Sequence, residues 1–134
     1  MKVIGINGSS RKDGNTAIII RTIFEELNKR GIETEFIQLA DVDIEPCRAC
    51  FACKGKGNCV FRKDGFAEVF SKIVGADGII LGSPVYSADV SSRMKALLDR
   101  GGVVAALNPG ILKLKLGVAV AAVRRALGMS ADYT

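Results

Sequence analysis

Apolar positions along this chain follow two alternating rhythms. Lys2–Asn7 is a short, nearly continuous apolar run, the pattern of a strand buried on both faces of a parallel sheet. From Asn15 to Arg30, residues Ile19, Ile20, Ile23, Phe24 and Leu27 return at helical spacing. Lys29 and Arg30 suit the end of that helix, and Gly31 stops it. Thr34–Leu39 predicts a second strand, and Asp41–Arg62 a long loop. Gly65–Val74 resumes the helical rhythm through Phe66, Val69, Phe70, Ile73 and Val74. A third strand is predicted at Gly78–Gly82, a helix at Ser91–Arg100 with Met94, Leu97 and Leu98, and a fourth strand at Leu116–Val123. Strands alternating with helices imply an α/β fold with a doubly wound parallel sheet. The 134 residues read as one domain, 1–134, with residues 41–62 inserted as a loop. Ligands of such sheets bind beyond the carboxyl ends of the strands, near a topological switch point.

Two loops at that end carry polar chemistry. Gly8-Ser9-Ser10-Arg11-Lys12-Asp13-Gly14-Asn15-Thr16 follows the first strand and opens the first helix. Backbone N–H groups, hydroxyls and a positive helix end make an anion site. The loop fits neither the G-x4-G-K-[ST] nor the G-x-G-x-x-G pattern, which favours a monophosphate over a nucleoside triphosphate or dinucleotide. The plainer alternative is a polar loop in which Thr16 caps the helix. The second loop, Gly82-Ser83-Pro84-Val85-Tyr86-Ser87-Ala88-Asp89, pairs a stiff turn with an aromatic ring that could meet a flat heterocycle. Its plainer alternative is a Tyr86 packed into the core. Together the two loops favour a flavin mononucleotide.

The 41–62 loop holds every cysteine of the chain: Cys47, Cys50, Cys53 and Cys59, spaced C-x2-C-x2-C-x5-C. Four thiolates on one short loop can fold around a single iron–sulfur cluster. Zinc and thiol–disulfide chemistry are the alternatives, although structural zinc sites usually come as two separated pairs. Residues 46–64 carry five basic residues (Arg48, Lys54, Lys56, Arg62, Lys63) and one acid, Asp64, a net +4 of the chain's +5. Aromatic interleaving is thin there and no nucleic-acid recognition motif is present, so nucleic acid is not an expected partner. The excess of cations instead suits an anionic centre and an acidic redox partner. Histidine is absent, which excludes Ser-His-Asp triads and histidine bases. No apolar run reaches membrane-spanning length and the N-terminus lacks signal-peptide character. A cytoplasmic location is expected, where clustered cysteines more often bind metal than form structural disulfides.

Three blocks carry a family resemblance: Gly8-Ser9-Ser10-Arg11…Asn15-Thr16, Pro46-Cys47-Arg48-Ala49-Cys50-Phe51-Ala52-Cys53…Cys59-Val60, and Gly82-Ser83-Pro84-Val85-Tyr86…Met94-Lys95-Ala96-Leu97-Leu98-Asp99-Arg100. In their order they resemble the iron–sulfur flavoprotein branch of the NADPH-dependent FMN reductase-like flavodoxin superfamily. The resemblance implies a flavodoxin-like fold. It places the FMN phosphate on Ser9, Ser10, Arg11, Asn15 and Thr16, and the ribityl chain and isoalloxazine on Pro84, Val85, Tyr86 and Ser87. It assigns Cys47, Cys50, Cys53 and Cys59 to a [4Fe–4S] cluster, and it demands no acid–base catalytic residue. It further implies electron transfer to or from a small carrier such as ferredoxin, or NAD(P)H, by a homodimer or homotetramer. Two rivals remain: an NAD(P)H-dependent FMN or quinone reductase without a cluster, and a non-catalytic flavodoxin-like electron carrier. The chain departs from the family where Val60-Phe61-Arg62-Lys63-Asp64 replaces an acidic run. It also departs after the fourth strand. Relatives continue into a glycine-rich flavin loop, begun here by Ala121–Gly128, then a fifth strand and a final helix, so a fold truncated after strand four is expected.

Overall fold

The computed structural model describes residues 1–123. Four parallel strands form one sheet: β1 (Lys2–Asn7), β2 (Glu33–Gln38), β3 (Gly78–Pro84) and β4 (Leu116–Ala122), in the order β2-β1-β3-β4. The chain leaves β1 for β2 on one side and returns to β3 on the other. The carboxyl ends of β1 and β3 therefore flank the switch point, and the fold is flavodoxin-like. Of the expected glycine-rich loop begun by Ala121–Gly128, residues Ala121 to Val123 are described and Arg124 to Gly128 lie outside the described residues.

Period-two alternation along β1 sends its side chains to two cores. Val3 meets Ile20 and Phe24 of α1 (Asn15–Lys29) together with Ile80. Ile4 and Ile6 meet the opposite layer, formed by α2 (Phe66–Gly75) and α3 (Ser92–Leu107), through Phe66, Phe70, Met94, Leu97 and Val104. Gly5 lies between, on the α1 side, where a methyl group would stand 2.5 Å from Ile20 Cγ2 and 2.6 Å from Phe24 Cζ. The helix can approach the sheet that closely only over a residue without Cβ.

Helix ends follow local chemistry. Gly31 has φ +73 after α1, and Ile32 N–H closes the turn on the Leu27 carbonyl at 3.1 Å. Ser91 caps α3, its Oγ accepting from Met94 N–H. That helix runs to Leu107, seven residues beyond the predicted end at Arg100. Gly101-Gly102 reads as a stop in sequence. In the fold Gly101 packs against the Phe70 ring, and Val104 continues the buried stripe past it. Asn108 and Pro109 end the helix instead.

Candidate functional site

The loop after β1 is held by an amide pair inside the protein. Asn7 is fully buried at the end of β1, and its Nδ2 donates to Gln38 Oε1 at 2.7 Å. Gln38 Nε2 in turn donates to the Ser9 carbonyl at 2.7 Å, and Ser9 N–H donates to Asn7 Oδ1 at 3.1 Å. Gly8 N–H donates to the Gly82 carbonyl of β3, and Ser91 Oγ donates to the Gly8 carbonyl. Ser91 N–H donates to Ser83 Oγ, so the two ligand loops and the start of α3 form one hydrogen-bonded body.

Above this body lies a cavity of about 520 Å³, within the range of cofactor pockets. Its walls include Ser9, Arg11, Asn15, Thr16, Pro84, Val85 and Tyr86, seven of the nine residues predicted for a flavin. Ser10 and Ser87 do not line it; both are exposed, Ser87 on the turn closed by the Val85–Val90 bridge. The N-cap of α1 is Gly14, with no side-chain cap, so Thr16 does not cap the helix. The first-turn N–H groups are thus left without a side-chain cap. Tyr86 is half exposed rather than packed in the core, which removes the plainer alternative for that ring as well. Lys12 turns away to an ion pair with Asp41 at 2.8 Å.

The second feature is the cysteine loop after β2. Cys47, Cys50, Cys53 and Cys59 line one narrow pocket, with Arg48, Arg100 and Phe61 in its wall. All four are free thiols; Cys53 is buried and Cys50 exposed. Burial, and then the neighbouring cysteines, pushes the Cys53 thiol up from its ordinary pKa. Ala49 and Phe51 hold left-handed backbone, φ 52 and 54, costly for residues with a Cβ. Left-handed residues of this kind are one component of anion-binding nests. Ala49 N–H donates to Cys47 Sγ at 3.5 Å and Arg100 Nε donates to Cys59 Sγ at 3.2 Å. Among the described residues no three Cys, Asp or Glu side chains converge on a single ion position.

Helix α3 carries the loop. Asn108 Nδ2 donates to the Cys53 carbonyl at 3.0 Å, and its Oδ1 accepts from Gly57 N–H at 2.9 Å. Two turns earlier Arg100 is 2% exposed and pairs with buried Asp64 at 2.5 Å. Burial works against the Asp64 carboxylate, but the Arg100 guanidinium and the Glu45 and Phe66 amides override it and hold its pKa below the ordinary range. Asp64, the one acid of the basic segment, is therefore not on the surface. Lys54, Lys56, Arg62 and Lys63 are exposed, while Arg48 pairs with Glu45 and lies 4.0 Å from the Phe61 ring centre.

The sequence reading did not single out Asn7, Gln38, Ser91, Asp64, Asn108 or Arg100 as site residues. Arg100 had a signal: it falls on the apolar stripe of Met94, Leu97 and Val104, where a charge requires buried partners.

Comparison with known proteins follows the same lines. The NADPH-dependent FMN reductase family matches residues 1–134. An iron–sulfur flavoprotein of Methanocaldococcus jannaschii is 50% identical over 100 residues, 75% of this chain and 51% of that one. An iron–sulfur flavoprotein of Methanosarcina thermophila is 38% identical over 120 residues, 90% of this chain and 62% of that one. The chain thus spans 51–62% of the length of these two relatives. Among solved structures, RosB with bound 8-demethyl-8-formylriboflavin-5'-phosphate superposes with a TM-score of 0.75 at 20% identity, over 99% of this chain and 57% of that one. NAD(P)H:quinone oxidoreductase from Methanothermobacter marburgensis gives 0.71 at 14% identity, over 98% of this chain and 72% of that one. At such identities these structures speak for the fold.

Proposed function

The chain belongs to the NADPH-dependent FMN reductase family, and from that premise we propose that it is an iron–sulfur flavoprotein, an oxidoreductase with one FMN and one [4Fe–4S] cluster. The observation that carries this reading is the convergence of all four cysteines on one pocket walled by Arg48 and Arg100. A single zinc ion needs its ligands gathered on one point about 2.3 Å away. A four-iron cluster takes one thiolate per iron, and the four cysteines of this pocket supply that number. The N–H donors to sulfur and the left-handed backbone at Ala49 and Phe51 support an anionic occupant.

FMN fits the larger cavity. Ser9, Asn15, Thr16 and the open first turn of α1 would take its phosphate, with Arg11 adding charge. Pro84, Val85 and Tyr86 would flank the ribityl chain and isoalloxazine, with Ser87 outside the cavity wall. Bound flavin exchanges one or two electrons and the cluster one, which allows a two-electron donor to feed a one-electron carrier. The protein's part is placement: no described residue is required as acid or base. NAD(P)H is the donor that the family description favours. An acidic carrier such as ferredoxin suits the exposed Lys54, Lys56, Arg62 and Lys63. A homodimer or homotetramer is the assembly that the family resemblance implies. The compartment proposed is the cytoplasm; no described helix is long and apolar enough to cross a membrane.

Cys59→Ala tests the assignment. It should lose iron and acid-labile sulfide and keep FMN, because the phosphate loop shares no wall residue with the cysteine pocket. Stoichiometric zinc without sulfide in the parent protein, prepared and reconstituted without oxygen, would overturn it. The second reading, an NAD(P)H-dependent FMN or quinone reductase whose cysteines hold no cluster, draws on the family description. It requires NAD(P)H oxidation unaffected by Cys59→Ala.

A further inference from the structure

Arg100 makes more contacts than a buried ion pair needs. Its Nη1 donates to Asp64 Oδ2 at 2.5 Å and to the Glu45 carbonyl at 3.2 Å, and its Nη2 to the Phe61 carbonyl at 3.0 Å. The guanidinium lies 4.3 Å from the Phe66 ring centre and 5.3 Å from that of Phe61. These contacts alone satisfy and pack the charge. The remaining edge, Nε–H, points at Cys59 Sγ from 3.2 Å. A neutral thiol is a weak acceptor, whereas a thiolate or a sulfur bonded to iron is a strong one. Arg48 also lines the pocket, but it is exposed and already paired with Glu45, so water screens it.

We propose that Arg100 is a positioning residue of the cysteine centre: it fixes the Cys59 sulfur and, through its N–H and its charge, favours the reduced form of the cluster. The inference rests on the cluster reading given above. Reduction adds one electron, supplied by an external reductant, and makes the centre more negative. No bond to Arg100 forms or breaks. A donor and a buried cation beside one ligand stabilise that added charge more than they stabilise the oxidised centre. Asp64 acts in the opposite sense, since it offsets the cation.

The test is a dye-equilibrated potentiometric titration of the whole chain, with iron and sulfide content measured in parallel. Arg100→Gln should lower the ratio of reduced to oxidised centre about tenfold at fixed potential, a shift of about 59 mV for one electron. Arg100→Lys keeps the charge and loses the planar fork, so it should fall between parent and Gln variant. Asp64→Asn should move the potential the other way, upward. A merely structural pair would move all three variants together through lost loading or stability. Should the Gln variant fail to fold, the opposite signs of Arg100→Lys and Asp64→Asn still decide. Variants that load iron and sulfide normally with an unchanged potential, or with shifts of one sign, overturn the role of Arg100 alone. A parent chain with no iron or sulfide overturns the cluster reading, and this inference with it.

Discussion

Arg11 and Asp64 are the residues whose removal separates the two sites. Arg11 lines the larger cavity and is exposed at its rim, so its loss removes charge without opening the core. A charge-assisted hydrogen bond is worth about 1.5–3 kcal/mol. Arg11→Ala should therefore weaken FMN about tenfold or more in fluorescence titration, and riboflavin, lacking the phosphate, should bind far more weakly than FMN. Equal affinity for the two would refute the phosphate assignment. Asp64 bears on stability. Its folded pKa lies below the unfolded value of about 3.9, so its pairing with Arg100 stabilises the fold fully above that pH. The contribution is lost as pH falls from about 3.9 through the folded pKa. Asp64→Asn leaves the guanidinium without a counter-ion and should cost about 3–5 kcal/mol at pH 7. The gap between parent and variant in urea midpoint should then close as pH drops through that window; a constant gap would contradict the pairing. Residue type and spacing were enough to single out Ser9, Arg11 and Thr16, which line the larger cavity, and the four cysteines, which line the narrow pocket. Asn7 and Gln38 were not, because their pairing joins two strands far apart in sequence.

At the scale of elements, the alternation of strand and helix patterns was sufficient for the sheet, and each predicted strand begins within one residue of its observed start. The length of α3 was not legible, because local propensity penalises Gly101-Gly102, whereas in the fold Val104 extends the buried stripe past them. Close packing also joins β3 to α1. A Cβ at Gly82 would stand 2.7 Å from Ile20 Cδ1 and 2.8 Å from Thr16 Cγ2. Gly82→Ala should cost about 1–3 kcal/mol by overpacking. It should also displace the first turn of α1 and weaken FMN, whereas stability lost with FMN affinity unchanged would show that α1 does not hold the cofactor. Such a coupled effect belongs to the element, since Gly82 itself has no ligand group.

For the whole molecule, the arrangement is a parallel sheet with the larger cavity at its switch point and a cysteine loop braced on α3. The same helix begins at the loops that line the cavity through Ser91 and holds the cysteine loop through Arg100 and Asn108. The basic face beside that loop predicts salt-sensitive association. Transfer of electrons from a reduced ferredoxin should slow several-fold between low and physiological ionic strength. Lys54→Glu with Lys56→Glu should slow it at low salt; a rate indifferent to both changes would remove the acidic partner. The central claim, that flavin and cluster share this chain, is tested most directly by the visible spectrum of protein purified and reconstituted without oxygen. Resolved flavin bands over a broad shoulder that dithionite bleaches, with about four irons and four sulfides per chain, is the predicted result. Flavin bands alone, with no shoulder and no sulfide, would contradict it.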